Sequence, residues 1–288
     1  QVLCATNIGA GHFSLSKRKF SIVLIDEATQ ATEPSALVPI VKGARQLILV
    51  GDHKQLPPTV TSRRAEEHGL EIPLFERLLS SGLTAHMLTT QYRMHPSIRE
   101  FPSSRFYENR LDDGCGKQDR PPVAGFLWPD WDKPVAFVPV HGAEIEEEAG
   151  SSRSNMDEAA VVIQVVNDLL LPGDIKPEDI GVISPYAGQV RLIRSMVDEQ
   201  IQGLEVKSVD GYQGREKEII GLSTVRSNEE GNVGFLSNYR RLNVALTRAK
   251  RGLIVIGDDR TLRNDSTWSS WLDWVSESNL MAWHIVNS

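Results

Sequence analysis

Short apolar runs alternate with amphipathic, helix-compatible stretches along most of the chain, the pattern of parallel sheets wound on both faces by helices. Strands are predicted at Ser21 to Ile25, Gln46 to Val50, Val135 to Val138, Ile180 to Ser184, Glu218 to Ser223 and Gly252 to Gly257. The opening run, Gln1 to Ala5, reads as a strand already under way. One helix should open at Thr32-Glu33-Pro34, a cap-like residue followed by proline in the first turn. Another should run from Met156 to Leu171, led in by Ser154-Asn155, with Asp157 and Glu158 in its first turn and Pro172-Gly173 as its stop. Two stretches break the rhythm. Asp112 to Lys133 is rich in Gly, Pro and Asp, and Gly142 to Arg153 carries the acidic run Glu144 to Glu148, so both read as surface excursions. A boundary is expected near residue 86, where the helix Leu74 to Ser80 gives way at Gly82 to a new pattern at Met87-Leu88. The expected domains are therefore 1–86, 87–265 and a helical tail 266–288, in which Trp271, Trp274 and Val275 share a face that packs as core.

The chemistry concentrates at strand ends. The apolar run at Ser21 is expected to be a buried strand, and it stops on the adjacent carboxylates Asp26 and Glu27. In an open α/β sheet, ligands bind outside the carboxyl ends of the strands. There one acid can hold Mg²⁺ while the other activates water; alone, the pair equally fits a solvated strand end. The next strand delivers Gly51-Asp52-His53-Lys54-Gln55-Leu56-Pro57-Pro58, and parallel pairing would set this loop beside the two acids. The Gln55 amide can bond a phosphate oxygen or the attacking water without neutralising Glu27. His53 and Lys54 fit loop polarity as well as function.

In Gln91-Tyr92-Arg93-Met94-His95-Pro96 an aromatic face precedes a guanidinium, a base-stacking surface beside a group able to reach a γ-phosphate. In Val209-Asp210-Gly211-Tyr212-Gln213-Gly214-Arg215-Glu216, two glycines allow close backbone approach and Glu216 can accept from ribose hydroxyls. The run Arg240 to Lys250 is expected to be a helix carrying Arg241 and Arg248 two turns apart, with Arg248 as a second phosphate-directed arginine.

These five elements, in this order, resemble motifs II to VI of superfamily 1 helicases, over residues 1 to about 258. The wording Asp-Glu-Ala-Thr-Gln, Gly-Asp-His-Lys-Gln-Leu-Pro-Pro, Gln-Tyr-Arg-Met-His-Pro, Tyr-Gln-Gly-Arg-Glu-Lys and Leu-Asn-Val-Ala-Leu-Thr-Arg-Ala-Lys is similar to the branch containing the up-frameshift helicase of nonsense-mediated decay and senataxin. The resemblance implies an α/β protein of two RecA-like, P-loop NTPase-type domains with parallel sheets, the first N-terminally incomplete. It implies ATP and Mg²⁺ as cofactors and single-stranded RNA or DNA as partner, tracked 5′ to 3′. Carried over by position, Asp26 is the metal ligand, Glu27 the water-activating base, Gln55 the γ-phosphate sensor, Tyr92 the adenine platform and Glu216 the ribose contact. Arg93 and Arg248 are the arginines that reach the γ-phosphate. Thr6 and Asn7, Pro57 to Val60, and Ser208 to Asp210 fall where family members touch the strand.

The phosphate-cradling sequence Gly-x-x-x-x-Gly-Lys-Ser/Thr is absent; the nearest match, Gly116-Lys117, is followed by Gln118. With no initiator Met either, the chain reads as the C-terminal part of a longer helicase. By itself it should hydrolyse ATP weakly, and protein partners would engage the absent N-terminal region. The competing reading is a non-hydrolysing nucleic-acid-binding or protein-interaction module derived from a helicase. A complete set of acids, glutamine and arginines favours the enzyme, since pure binding does not need it.

Composition narrows the rest. A chain of 288 residues with 40% apolar content suits two conventional cores. Cys4 and Cys115 match no metal or redox spacing, which fits a reducing compartment, cytoplasmic or nuclear rather than secreted. No apolar stretch reaches the length of a membrane span. The net charge of −7 argues against bulk electrostatic coating of nucleic acid but leaves room for local basic tracks. Candidates are Lys17-Arg18-Lys19, Arg63-Arg64, Arg240-Arg241 and Lys250-Arg251, which equally suit solvated faces.

Overall fold

The computed structural model describes residues 2–147 and 152–283. Residues 148–151 of the expected excursion Gly142 to Arg153, among them Glu148 at the end of its acidic run, and residues 284–288 of the expected helical tail lie outside them, as does Gln1. The chain divides into two compact units, Gln1–Met87 and Leu88–Ser288.

In the first unit, β1 (Ile22–Ile25) and β2 (Gln46–Leu49) pair in parallel from Ile22 opposite Gln46 to Ile25 opposite Leu49. Parallel neighbours need a crossover, and α1 (Glu33–Ile40) supplies it, opening with Pro in its first turn. Thr32 occupies the cap position without a side-chain cap bond. Two further helices follow, α2 (Arg63–Glu67) and α3 (Leu74–Ser80). Val23, Ile25, Ala28, Ala36 and Leu74 form the core. The expectation that the first strand is buried holds for one face only: Ile22 and Leu24 are each 59% exposed. Alternation sends them to the side opposite Val23 and Ile25, where Ile48 is also exposed. The expected strand at the start is not formed, since Val2 to Ala5 are exposed and unpaired with any strand.

The second unit holds a five-stranded parallel sheet in the order β5 (Val135–Pro139), β11 (Ala249–Gly257), β10 (Lys217–Ser223), β8 (Ile180–Ser184) and β9 (Glu205–Ser208). Before it come β3 (Thr90–Gln91), α4 (Pro96–Phe106) and β4 (Asp112–Asp113), with β3 and β4 paired. β5 and β8 are buried at every position, as expected for strands covered on both faces. β10 and β11 lie between them, and β9 closes one edge. β9 has no counterpart among the expected strands, because Glu-Val-Lys-Ser is too polar to stand out.

Alternation along β5 sends Ala136 and Val138 to the side covered by α5 (Met156–Leu170) and α6 (Ala187–Met196), whose Val162, Val166, Leu169, Val190 and Ile193 join them. Phe137 points the other way and meets Trp271 of α9 (Ser266–Glu277) edge-on, with ring centroids 5.8 Å apart. Trp268, Leu272 and Val275 complete that layer, so α9 packs as core within the second unit. The short helices α7 (Tyr239–Leu246) and α8 (Asp259–Leu262) flank β11.

Both expected excursions are structural. Within 112–133, Val123, Phe126 and Trp128 are buried in the α5/α6 layer. The Trp128 indole donates to Val123 O and lies over β11 at Gly252, where a Cβ would stand 2.5 Å from the ring. The other excursion forms the antiparallel hairpin β6 (Glu144–Glu146) and β7 (Arg153–Asn155), whose Glu144 pairs with the buried Arg226 at 2.8 Å. Apolar residues scattered among Gly, Pro and acids hid the first; a long-range ion pair hid the second.

Candidate functional site

Parallel pairing of β1 and β2 brings their carboxyl ends together, and two backbone bonds stitch the loops that follow. Val50 N donates to Ile25 O and Ala28 N to Val50 O. Asp26 and Glu27 stand exposed at this edge. Glu27 holds a left-handed backbone, φ 50°, which turns the chain off the strand into the next turn. Asp26 Oδ1 accepts Glu27 N at 2.9 Å, and Gln30 Nε2 donates to Glu27 Oε2 at 2.6 Å. On the second loop, Gln55 Nε2 donates to Asp52 Oδ2 and Lys54 N to Asp52 Oδ1, both at 2.9 Å. Gly51 packs on Thr29, where a Cβ would meet its backbone nitrogen at 3.0 Å. The two loops therefore form one braced edge.

Exposed carboxylates at a strand end fit Mg²⁺, a hard ion that takes one or two protein carboxylates and fills its shell with phosphate and water oxygens. Among the described residues the cluster of three metal-capable side chains is elsewhere, at His141, Asp258 and Asp259. There Asp258 already accepts from Arg260 and Ser227.

In the second unit, segments far apart in sequence converge at the amino-terminal ends of β10 and β11. Arg93 Nε donates to Glu216 Oε2 at 2.7 Å and Arg93 Nη1 to Thr247 O at 3.1 Å. Lys250 Nζ lies 3.1 Å from Glu216 Oε1 and 3.4 Å from Glu218. Burial works against the charge on Glu216, but hydrogen bonds from Arg93 and Lys250 outweigh it and hold the carboxyl below its usual range. Tyr92, beside this group, is 69% exposed.

Arg248 does not sit on a helix face. α7 ends at Leu246, Thr247 caps it and β11 begins at Ala249, so Arg248 occupies the turn. It is only 2% exposed; its Nε donates to Val244 O and its Nη2 to Thr247 Oγ1, both at 3.0 Å. Nor are Lys250 and Arg251 a solvated basic track: Lys250 holds the Glu216 group, and Arg251 Nε donates to Pro121 O.

The residues matched to strand contacts sit in loops and at the end of β9. Thr6 Oγ1 accepts from Gly9 N, Pro58 is buried in the loop after β2, and Ser208 Oγ accepts from Gly211 N. Asp210 lies 3.7 Å from Arg241, whose guanidinium stands over the Phe235 ring.

Sequence reading missed a buried polar cluster at the carboxyl end of β10. Glu158, in the first turn of α5, is fully buried and accepts from Ser223 Oγ at 2.6 Å and Val225 N at 2.9 Å. Val225, β-branched yet at φ 73°, is held by those bonds and by Asn155 Nδ2 on its carbonyl. Burial pushes the Glu158 carboxyl up to about 8, against the hydrogen bonds it accepts. An acid in a helix's first turn reads as a solvated dipole partner, so nothing in the local sequence separated it from Asp157.

Comparison with known proteins gives a consistent picture. Two models, both described as "AAA domain", match the chain, one at residues 1–63 and the other at residues 70–260. The chain is 44% identical over 294 residues to "Regulator of nonsense transcripts 1 homolog" of Drosophila melanogaster, covering 100% of this chain and 25% of that protein. It is 46% identical over 279 residues to "ATP-dependent helicase NAM7" of Saccharomyces cerevisiae, covering 94% of this chain and 28% of the relative. With "Probable helicase MAGATAMA 3" of Arabidopsis thaliana the identity is 39% over 285 residues, 94% of this chain and 34% of that one. The chain thus spans about a quarter to a third of the length of these relatives.

Proposed function

The chain belongs to the AAA-domain family, in the up-frameshift and senataxin-like branch of the superfamily 1 helicases, and on that footing we propose that it supplies hydrolytic residues to an ATP-dependent translocase on single-stranded RNA. The observation that carries this reading is the Arg93–Glu216–Lys250 group beside Thr247-Arg248. Parts of three motifs, separated by 123 and 154 positions, meet at one end of a rigid parallel sheet. A binding surface alone needs no such convergence of opposite charges next to an exposed aromatic ring.

In this reading Glu27 takes the proton of the attacking water, and Gln55 orients that water and registers the γ-phosphate. Asp26 holds Mg²⁺, which when bound screens the phosphate charge. Tyr92 stacks on adenine. Arg93 exchanges its Glu216 partner for phosphate oxygens, which frees Glu216 to accept from the ribose hydroxyls. Arg248 adds positive charge to the same phosphate. Thr6, Asn7, Pro57 to Val60 and Ser208 to Asp210 contact the strand, and movement runs 5′ to 3′. RNA is preferred over DNA because the relatives include proteins named as regulators of nonsense transcripts; such work lies in the cytoplasm or nucleus. Among the described residues no helix is long and apolar enough to cross a membrane.

The test is ATP turnover by the full-length protein with no nucleic acid, with single-stranded RNA and with single-stranded DNA. Stimulation by RNA above that by DNA is expected. Turnover that neither polymer changes would remove the translocase reading.

A further inference from the structure

The loop carrying Tyr92 and Arg93 is held by side chains of β3 and of the segment that follows β4. Arg120 is the centre of this grip. Its Nη2 donates to Tyr92 O at 2.9 Å and its Nε to Arg93 O at 2.8 Å, while Nη1 takes its own neighbour's carbonyl, Asp119 O, at 3.0 Å. A planar guanidinium presents its donors in a fixed fork, so two consecutive carbonyls bound this way fix the peptide plane between them.

Further groups of the loop are also taken. Gln91 Oε1 accepts from Arg93 N at 2.9 Å and Met94 N at 2.7 Å, and Gln91 Nε2 donates to Met94 O and Asp113 Oδ1. Asp113 is itself held by Arg99. The far end of the segment is tied to β11 by Arg251 on Pro121 O. Tyr92's ring is seated directly over Gly114, where a Cβ would stand 2.3 Å from Cε1 and 2.5 Å from Cδ1. No side chain fits there without moving the ring.

We propose that Gly114 and Arg120 are positioning residues for nucleotide binding: Gly114 sets the plane of Tyr92 and Arg120 sets the backbone from which Tyr92 and Arg93 project. The proposal rests on the reading of Tyr92 as the adenine platform. An aromatic ring so exposed would otherwise sample several rotamers, and fixing it beforehand removes an ordering cost from binding. The segment that the sequence presents as a surface excursion is in this sense the floor of the base site.

The experiment compares steady-state ATP hydrolysis by the full-length protein in four variants: Tyr92→Ala, Arg120→Ala, Arg120→Lys and Gly114→Ala. Tyr92→Ala and Gly114→Ala should each raise KM for ATP by about tenfold while kcat stays within about threefold; Arg120→Ala should raise KM as much and also lower kcat, because the backbone that carries Arg93 loses the same anchor. Arg120→Lys should recover little of the loss, since a single ammonium cannot hold both carbonyls in the plane of a guanidinium. Gly114→Ala makes and breaks no hydrogen bond of Arg120, so it carries the test even where Arg120→Ala fails to fold. A raised KM in Tyr92→Ala with wild-type KM in Gly114→Ala and in folded Arg120→Ala would overturn the proposal and leave the Tyr92 reading standing. A wild-type KM in Tyr92→Ala would overturn the Tyr92 reading itself, and the positioning role with it.

Discussion

The two units brace their functional side chains in different ways. In the first, partners are neighbours: Asp26 bonds the next residue's N–H, and Glu27 and Asp52 each meet a glutamine three positions on. In the second, distant partners join the local ones: Arg93 reaches Glu216 and Thr247, Arg120 reaches back to Tyr92 and Arg93, and Arg248 adds to its local bonds an Nη1 contact to Arg215 O at 3.5 Å. Local bracing leaves the acids of the first unit exposed and chemically replaceable with little harm to the fold. Long-range bracing makes the second unit's charges part of its packing, so substitutions there should change activity and stability together.

The largest such effect is expected at Arg248, the most buried of the site arginines. Arg248→Ala should cut ATP turnover by the full-length protein by roughly 10³-fold. It should also cost about 2 kcal/mol in chemical denaturation, because Val244 O and Thr247 Oγ1 lose a charged donor inside the fold. Strand binding should survive. Equal loss of strand binding and turnover would contradict the assigned role, and unchanged stability would break the contrast between the units.

The pH dependence of stability gives an effect of intermediate size. Folding raises the Glu158 carboxyl from its ordinary 4.5 to about 8, so between those values the folded chain keeps a proton that the unfolded chain releases. Stability should therefore fall as the pH rises through that window, with a limiting slope of about 1.4 kcal/mol per pH unit for one proton. Glu158→Gln should flatten the fall in urea unfolding compared at about pH 5.5 and about pH 7.5. The same slope in both proteins would show that Glu158 is not its source.

The smallest effect belongs to the exposed Arg63–Glu67 pair on α2, where Arg63→Ala should change stability by less than about 0.5 kcal/mol. A larger loss in thermal or chemical unfolding would mean that locally braced surface charges matter more to the fold than the contrast allows.

This contrast also explains how much was legible beforehand. Six strands were readable because each is a run of β-branched and aliphatic residues, and the Asp26-Glu27 edge was readable because its partners sit within a few positions. The pairing of Arg93 with Glu216 was not, since nothing in either segment's neighbourhood encodes the other. The helix expected to carry Arg248 stops one turn early because Thr247 donates its hydroxyl back to Asn243 O and the chain turns into β11. Arg120 was hidden among the Gly, Pro and Asp of 112–133, where the buried Val123, Phe126 and Trp128 are interspersed with the exposed Leu127 and Trp131 and make no regular pattern.

The most direct test of the first unit's role is a single-turnover measurement of ATP binding and cleavage in the full-length protein with Glu27→Gln. Removing the base alone should leave ATP bound and lower its cleavage by roughly 10²- to 10⁴-fold. Cleavage at the wild-type rate would show that Glu27 does not activate water, and the hydrolytic role assigned to the exposed edge of the first unit would fall.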